Sequence, residues 1–265
     1  MQIADKLIRN IEEIFLDKLT IQGNFIKMKT HSVADNQQQV NEVFSNKWED
    51  YESSDEKEKL YKMQREWYLQ LYGFKSEADF SKYLKTKKII YDAGCGLGYK
   101  AAWFAELAPQ SIVVGMDFSD AAKQAAKTYE HLDNLFFIQG DIANKTFVDG
   151  TFDYVSCDQV IMHTEHPAKT FSELTRITNI GGEFSCYVYA KKALPRELLD
   201  DYFRIKCKDL SHDQIKQLSK QLTELGKTLS NLKINIEVPD IPLMNIKGGT
   251  YDIQRFIYWN FMKCF

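Results

Sequence analysis

The chain contains 265 residues, of which 44% are hydrophobic and 27% are charged, and its formal net charge at pH 7 is −3. This composition suits one large globular domain or one domain with an appendage, and the slightly acidic balance argues against a nucleic-acid-binding surface. No apolar run approaches the roughly 20 residues that a membrane-spanning helix needs. The five cysteines form no Cys-x-x-Cys pair, so a reduced, cytoplasmic protein without a bound metal is expected.

The pattern of apolar residues in 1–86 predicts a helical N-terminal cap that leads into the main domain. Apolar side chains recur at helical spacing over residues 3–19 and again over 60–72, and a third amphipathic stretch covers 77–84. The polar segment 20–39 is weakly patterned and predicts a loop with short helical pieces. The whole segment is therefore expected to lie outside the central sheet.

Aromatic residues are unusually dense in this N-terminal segment, notably Phe44, Trp48 and Tyr51. Large rings with a polar tip can cover an apolar ligand and orient it at the same time. We therefore predict that these three residues lie on the substrate side of a cleft. On this hypothesis, deletion of residues 1–51 spares the sheet and abolishes or exposes the acceptor pocket.

The most informative stretch is a short apolar run that ends in Asp92 and is followed by three alternating glycines, Gly94, Gly96 and Gly98. Helical apolar spacing begins directly after them, so the pattern predicts a strand, a tight turn and a helix. Glycine adopts positive φ cheaply and allows a ligand to approach the backbone closely, while the start of a helix offers free N–H groups and partial positive charge. The turn is therefore predicted to bind a cofactor.

Strands and helices alternate downstream of this turn, as a parallel sheet with crossover helices requires. The fold class predicted is α/β, with an open, mostly parallel twisted sheet, helices on both faces and the strand order 3-2-1-4-5. The predicted strands are 88–92, 111–116, 135–139, 152–157 and 183–189. The predicted helices between them are 99–108, 120–131 and 167–178, and a Gly-Gly turn is expected before the last strand.

Four carboxylates mark the ends of the first four predicted strands, namely Asp92, Asp117, Asp141 and Asp158. The carboxyl ends of parallel strands meet at one edge of a sheet, which is where open α/β folds bind ligands. Asp117 ends the second strand, a position from which an acidic side chain accepts hydrogen bonds from ribose hydroxyls. Asp141 could accept a hydrogen bond from the amino group of a planar ring, with Phe118 and Ile142 as apolar faces for that ring, and Asp158 ends the fourth strand.

From about Lys87 to Tyr189 the chain resembles the class I S-adenosylmethionine (SAM)-dependent methyltransferases, with a Rossmann-like domain similar to methyltransferase types 11 and 25. The resemblance covers roughly 100 of the 265 residues. The matching pieces are Asp-Ala-Gly-Cys-Gly-Leu-Gly (92–98), Val-Gly-Met-Asp-Phe-Ser (114–119), Gln-Gly-Asp-Ile (139–142), Phe-Asp-Tyr-Val (152–155), Asp-Gln-Val-Ile-Met-His-Thr (158–164) and Gly-Gly-Glu-Phe (181–184).

This resemblance implies SAM as cofactor, S-adenosylhomocysteine as product, no metal, and methyl transfer by in-line displacement to a small-molecule or saccharide-type acceptor. The residues expected to bind the cofactor are Asp92, Gly94, Cys95, Gly96, Asp117, Phe118, Asp141, Ile142 and Asp158. Cys95 is expected there as a small residue that fits the turn, not as a nucleophile.

His163 is the candidate catalytic residue, because it follows the fourth strand where related enzymes place acceptor-side groups. A hydroxyl acceptor needs a general base, whereas a soft carbon, nitrogen or sulfur acceptor does not. The alternative is a histidine that only anchors the loop after the strand. The sequence does not name the acceptor.

Two other functions remain open at this stage. A nicotinamide-dependent oxidoreductase could use a related fold, although its glycine fingerprint requires glycine at position 99, where the chain has Tyr99. A protein that binds SAM without transferring a methyl group could serve as an interaction module. For the methyltransferase, a small-molecule partner is expected, with no nucleic acid and no membrane span.

The domain division predicted is a cap (1–86), a SAM-binding core (87–190) and an acceptor-side segment (191–265). Two interpretations compete for the last segment. Residues 232–238 alternate like a strand and could pair with 254–263 to complete a seven-stranded methyltransferase sheet. Alternatively, the segment is a helical and aromatic insertion without the complete final hairpin, and we favour this interpretation because 254–263 lacks period-2 alternation. The fifth strand would then be an open edge through which two copies could dimerise.

Overall fold

The computed structural model of the protein describes residues 11–17, 20–27 and 57–264. The chain divides into two compact units, the first ending at Tyr189 and the second beginning at Ala190. Phe44, Trp48 and Tyr51 lie outside the described residues, so their placement over a cleft stays a prediction.

The first unit is built on a seven-stranded sheet with the order β1-β2-β5-β4-β3-β6-β7. Its strands are β1 (Thr20–Gln22), β2 (Phe25–Lys27), β3 (Ile89–Ala93), β4 (Ile112–Asp117), β5 (Leu135–Gln139), β6 (Phe152–Asp158) and β7 (Thr178–Tyr187). Its helices are α1 (Lys57–Leu71), α2 (Glu77–Leu84), α3 (Tyr99–Leu107), α4 (Ala121–Thr128) and α5 (Pro167–Ile177). All pairings are parallel except the β1–β2 hairpin. The predicted open α/β sheet with strand order 3-2-1-4-5 is confirmed.

The central strands are apolar because both faces of the sheet are covered. Successive side chains point to opposite faces, so Tyr91 and Val114 belong to one buried layer while Ile90 and Val113 belong to the other. Side chains from α5 complete the first layer, and side chains from α2, α3 and α4 complete the second. The sheet is therefore held between two hydrophobic layers, and its carboxyl edge is left for the site.

The N-terminal segment is not purely helical, which corrects the prediction for residues 20–39. Thr20–Gln22 and Phe25–Lys27 form a hairpin, and Phe25–Lys27 pairs in parallel with β5. Gly23 adopts a φ of 63° in the two-residue turn. The signal was present, because Gly-Asn between two short alternating runs is typical of a tight hairpin.

The hairpin and the residues before it also overturn the expectation that deletion of residues 1–51 spares the sheet. Ile11, Ile14, Phe15 and Ile26 are all buried in the layer that contains Tyr91. Phe15 forms an isolated antiparallel bridge with Phe147, so the predicted helix does not continue through it. These residues are part of the main core, and their deletion would expose it.

The predicted turn at Gly181–Gly182 lies inside β7 as an irregularity. Pairing with β6 matches Phe152 to Thr178 and then Tyr154 to Glu183, so β7 contains extra residues at this point. Gly181 has a φ of 83°, which an L side chain rarely adopts. The glycines therefore produce a bulge within a longer strand instead of a separate turn.

The second unit is helical with a small sheet of its own. Its helices are α6 (Leu194–Lys206), α7 (His212–Asn231) and α8 (Ile253–Asn260), and β8 (Asn235–Val238) pairs antiparallel with β9 (Gly249–Asp252). Residues 254–263, the candidate for a seventh strand of the main sheet, lie mostly in α8. Arg196 is buried in this unit and pairs with Asp200, and its guanidinium lies 5.5 Å from the Tyr258 ring.

Across residues 11–17, 20–27 and 57–264, the structure contains no helix long and apolar enough to cross a membrane. Within the same residues, β7 pairs only with β6, so this edge of the sheet has no second strand partner.

We predict that Ile26→Ala lowers the free energy of unfolding by about 2–4 kcal/mol, because it removes a fully buried side chain and leaves a cavity. The measurement is urea denaturation followed by circular dichroism. Lys27→Ala, at the exposed neighbouring position, is the matched control and should change stability by less than about 0.5 kcal/mol. Equal stabilities of the two variants would show that the hairpin does not belong to the core.

Candidate functional site

The turn after β3 is a left-handed backbone segment that requires glycine. Gly94, Gly96 and Gly98 have φ angles of 76°, 52° and 78°. A Cβ atom at Gly94 would lie 2.4 Å from Val160, and one at Gly98 would lie 2.6 Å from the Phe137 ring. Both the backbone conformation and the close packing therefore exclude larger residues here.

A cavity of about 320 Å³ opens at the carboxyl ends of β3, β4, β5 and β6. This volume lies within the usual range of small-molecule sites, roughly 300–1,000 Å³. The predicted site residues that line it are Gly94, Cys95, Asp117, Phe118, Asp141, Ile142, Asp158 and His163. Asp92 and Gly96 are buried and are not part of this lining, so their contact with a ligand stays a prediction.

Asp117 ends β4 and fixes the glycine turn. Its Oδ2 accepts a hydrogen bond from the Gly96 N–H at 2.8 Å, and its Oδ1 accepts from the Ser119 N–H at 2.9 Å and the Ser119 hydroxyl at 2.6 Å. A carboxylate offers about four acceptor sites, so about one remains for a ligand. A vicinal diol would bring two donors, and the second would have to replace the Ser119 hydroxyl or share an oxygen with it.

Asp141 and its neighbours form a flatter, more apolar part of the cavity. Asp141 Oδ1 accepts a hydrogen bond from the Ala143 N–H at 2.9 Å, which turns the chain sharply after β5. The Ile142 side chain is buried and Phe118 is half-buried, and both line the cavity beside this carboxylate. An acceptor oxygen flanked by apolar surface suits a planar heterocycle with an amino group.

Lys100, in the first turn of α3, joins two of the strand-end carboxylates. Its Nζ lies 3.0 Å from Asp92 Oδ1 and 3.1 Å from Asp158 Oδ2. Lys100 is 8% exposed and Asp92 is fully buried. In the part of the chain that the structure describes, neither oxygen of Asp92 accepts a hydrogen bond, so its compensation is the ion pair with Lys100. The lysine therefore neutralises charge that would otherwise be buried without compensation.

The pKa values follow from this arrangement. Burial raises the pKa of the Asp92 carboxyl to about 6, against the lowering influence of Lys100. Burial lowers the pKa of Lys100, but Asp158 and Asp92 outweigh it and hold this pKa well above its usual value. The ammonium therefore remains charged at neutral pH, while Asp92 titrates near the lower end of the physiological range.

Two tyrosines, Tyr68 of α1 and Tyr72 directly after that helix, extend the polar cluster. The Tyr72 hydroxyl donates to Asp158 Oδ1, and burial followed by the charge of Asp158 raises the pKa of Tyr72. The Tyr68 hydroxyl is hydrogen-bonded to the hydroxyl of Tyr154 and donates to Ser156 Oγ at 3.1 Å. Burial also raises the pKa of Tyr68, so both phenols stay protonated and connect this part of the chain to β6 through neutral donors.

Aromatic residues of α1, namely Tyr61, Trp67 and Tyr68, line the cavity. Tyr61 stacks on Tyr99 with ring centroids 4.4 Å apart, and the Trp67 ring meets Tyr187 edge-on at 5.2 Å. Arg65 also lines the cavity and lies 5.5 Å from the Trp103 ring. Among the described residues, aromatic side chains beside the cavity therefore come from α1. The predicted group Phe44, Trp48 and Tyr51 precedes this helix in the sequence and lies outside the described residues.

His163 closes a short 3₁₀ turn (Ile161–His163) after β6 and is exposed at the mouth of the cavity. Its ring lies edge-on to Tyr189 with centroids 6.0 Å apart. Gln159, at the end of β6, has a φ of 59° and accepts a hydrogen bond from the Tyr189 hydroxyl at 3.3 Å. A non-glycine residue in this region is strained, and such strain is common at ligand sites.

Cys95 is 5% exposed, and burial raises the pKa of its thiol well above the usual value. The thiolate, which is the nucleophilic form, is therefore disfavoured. This agrees with the interpretation of Cys95 as a small residue that fits the turn.

Sequence reasoning missed Lys100 and the contribution of α1. The signal for Lys100 was a single cation among the small and apolar residues of 99–107, which are buried almost throughout α3. A lysine in such a setting requires a buried counter-charge. The signal for α1 was the aromatic density at Tyr61, Trp67 and Tyr68. The sequence alone gave no reason to prefer these residues to the preceding aromatic group at 44–51.

Comparison with known proteins agrees with this geometry. A family described as "Methyltransferase domain" matches residues 84–229, which is more than half of the chain. The chain therefore belongs to the methyltransferase domain family. This finding separates it from the nicotinamide-dependent oxidoreductases that the glycine turn alone left open.

Three relatives illustrate the range of the similarity. The chain is 35% identical over 114 residues to an uncharacterized methyltransferase of Schizosaccharomyces pombe, covering 40% of this chain and 41% of that protein. It is 31% identical over 146 residues to a malonyl-[acyl-carrier protein] O-methyltransferase of Legionella pneumophila, covering 54% and 47%. It is 30% identical over 103 residues to a sterol 24-C-methyltransferase of Saccharomyces cerevisiae, covering 37% and 27%. The matched region spans less than half the length of each relative.

We predict that Asp92→Asn changes how stability depends on pH. The folded carboxyl takes up its proton near pH 6 and the unfolded one near 3.8, so this group adds stability as the pH falls from about 7 to 4. Relative to the variant, the wild type should gain on the order of 1–3 kcal/mol over this range. Urea denaturation of both proteins at several pH values measures the difference, and parallel pH profiles would contradict the prediction.

Proposed function

We propose that this protein is an enzyme that transfers a methyl group from SAM to a small-molecule acceptor. The observation that carries the proposal is the cavity at the carboxyl edge of the sheet, where the left-handed glycine turn meets Asp117, Asp141 and Asp158. Membership in the methyltransferase domain family supports the same cofactor.

The residues present fit SAM in their chemistry. Asp117 keeps about one acceptor site for the ribose, and Asp141 with Phe118 and Ile142 suits the adenine ring. The first turn of α3 offers N–H groups near the methionine end, since its N-cap is Gly98 and no side chain caps it. When bound, SAM supplies the methyl group, which a nucleophilic acceptor takes by in-line displacement.

The protein's own contribution would be alignment and exclusion of water. Alignment of an acceptor with a bound donor can supply up to roughly 7–11 kcal/mol of a reaction barrier. In this proposal, Tyr61 and Trp67 on α1 cover the cavity, while Gln159 and His163 supply polar groups at its mouth. His163 would remove a proton from a hydroxyl acceptor, and it would only position an acceptor that needs no base.

A small molecule is the favoured acceptor because the cavity has a volume of about 320 Å³ and large rings such as Tyr61 and Trp67 line it. Saccharide-type acceptors remain within this class, since sugar rings also present apolar faces to aromatic side chains. The named relatives act on chemically different acceptors, an acyl-carrier-linked malonyl group in one case and a sterol in another. The family therefore supports the reaction type more strongly than any particular acceptor.

We predict that Asp117→Ala weakens binding of S-adenosylhomocysteine by one to two orders of magnitude, or about 1.5–3 kcal/mol, because a charged acceptor of the ribose is lost. Isothermal titration calorimetry measures the change. Asp133→Ala, at an exposed carboxylate outside the cavity lining, is the control and should bind like the wild type. Because Asp117 also holds the Gly96 N–H, thermal melting is followed in parallel. Unchanged affinity in a folded Asp117→Ala protein would contradict the ribose assignment.

We predict that the acceptor lies in the small-molecule fraction of a cell extract. With methyl-labelled SAM, the label should appear in the low-molecular-weight filtrate, and Trp67→Ala should reduce this incorporation by about two- to tenfold through loss of ring contacts. Met63→Ala is the matched control, because Met63 lies on the same helix, is 57% exposed and does not line the cavity. Label confined to protein or nucleic acid would contradict the small-molecule proposal.

A further inference from the structure

A feature of the site that the proposed function leaves unused is the cation at its methionine end. Lys100 lines the cavity and is buried between Asp92 and Asp158. Without the lysine, these two carboxylates would be the natural ion-pair partners of an ammonium group on the ligand. Lys100 already forms those ion pairs.

The electrostatic consequence concerns the charge that a ligand presents here. A ligand ammonium approaching Asp158 would have to share that carboxylate with Lys100, whose like charge opposes it at short distance. A ligand carboxylate would be attracted by Lys100, against the one net negative charge that Asp92, Asp158 and Lys100 carry together. The N-terminus of α3, which carries Lys100 in its first turn, adds partial positive charge of the same sign.

The hydrogen-bonding capacity of Lys100 points the same way. An ammonium has three N–H donors. Asp158 Oδ2 accepts one of them at 3.1 Å, while Asp92 Oδ1 lies 3.0 Å from Nζ as an ion pair and not as a hydrogen-bond acceptor. Asp92 and Asp158 thus hold the ammonium in place, so little side-chain entropy is lost when a further acceptor binds it.

We propose that Lys100 is the specificity-determining residue of the cofactor site. Its ammonium recognises the α-carboxylate of SAM and S-adenosylhomocysteine, while Asp92 and Asp158 orient the lysine side chain. This inference rests on the proposed function, since it assumes that an S-adenosyl ligand occupies the cavity. It reverses the sequence expectation for Asp92 and Asp158, which act on the ligand through Lys100.

Arg65 is the competing candidate, because it is the other cation in the lining of the cavity among the described residues. Its guanidinium lies over the Trp103 ring, and its NH2 group lies 4.0 Å from Glu106 at the outer side of α3. Lys100 lies next to the glycine turn and touches both strand-end carboxylates. The geometry therefore favours Lys100 as the ligand of a carboxylate at the methionine end.

The test compares three ligands by calorimetry: S-adenosylhomocysteine, its decarboxylated analogue, which keeps the amine, and 5′-methylthioadenosine, which lacks both groups. The wild type should prefer S-adenosylhomocysteine over the decarboxylated analogue by about tenfold to a hundredfold, as expected for a charge-assisted hydrogen bond. Affinity for 5′-methylthioadenosine serves as a measure of the adenosine half of the site.

Removal of Lys100 alone would leave two buried carboxylates without a counter-charge and could unfold the protein. The variant is therefore Lys100→Met combined with Asp92→Asn, which removes one charge of each sign, and Asp92→Asn alone is its matched control. The double variant should lose the preference for the carboxylate and keep its affinity for 5′-methylthioadenosine. A clear preference for S-adenosylhomocysteine over its decarboxylated analogue should remain in each of the single variants Asp92→Asn, Lys100→Arg and Arg65→Met.

The outcomes separate the two levels of the proposal. A double variant that still prefers S-adenosylhomocysteine as strongly as Asp92→Asn does would overturn the role of Lys100. The same conclusion would follow if Arg65→Met abolished the preference, or if the double variant lost affinity for all three ligands equally. A wild type that binds none of the three would instead contradict the proposed function itself.

Discussion

The site depends on one backbone constraint, the left-handed turn between β3 and α3. Gly94, Gly96 and Gly98 adopt positive φ angles there, and Cβ atoms at the first and last would collide with Val160 and Phe137. The Gly96 N–H is held by Asp117, which links the turn to the neighbouring strand. The turn therefore sets both the start of α3 and the position of the carboxylate proposed to bind the ribose.

Charge balance is the second constraint, because carboxylates collect where parallel strands end. Asp92 is fully buried and pairs only with Lys100 among the described residues, and Asp158 shares the same ammonium. A buried ion pair adds little net stability, yet removal of one partner is costly. The arrangement is therefore better understood as a way to keep a fixed cation in the cavity than as a source of stability.

The sequence predicted the sheet well because each strand carries a strong local signal, an apolar run that ends at a polar turn. The strand order followed from the glycine turn and from the resemblance to methyltransferases. The β1–β2 hairpin was missed because its one clear signal, the Gly-Asn turn, lies between strands of only three residues each. The bulge at Gly181 was missed because two glycines are equally typical of a turn. Element boundaries elsewhere differ by only a few residues.

The side-chain partnerships of the site could not be predicted in the same way. Four aspartates at strand ends indicated a ligand site, but only the folded structure places Lys100 between Asp92 and Asp158. Pairing of this kind depends on which helix turn faces which strand end, and residue spacing along the chain does not contain that information. The aromatic lining provided by α1 is a further case, since Trp67 packs edge-on against Tyr187, a residue far from it in the sequence.

Parallel calorimetric titration of the wild-type protein with S-adenosylhomocysteine and with NADH tests the central claim most directly. We expect one molecule of S-adenosylhomocysteine to bind per chain with micromolar affinity or better, on the order of −8 kcal/mol or more favourable, and NADH to give no saturable heat. Saturable binding of NADH, or no binding of S-adenosylhomocysteine, would contradict the account of the cavity as a SAM site.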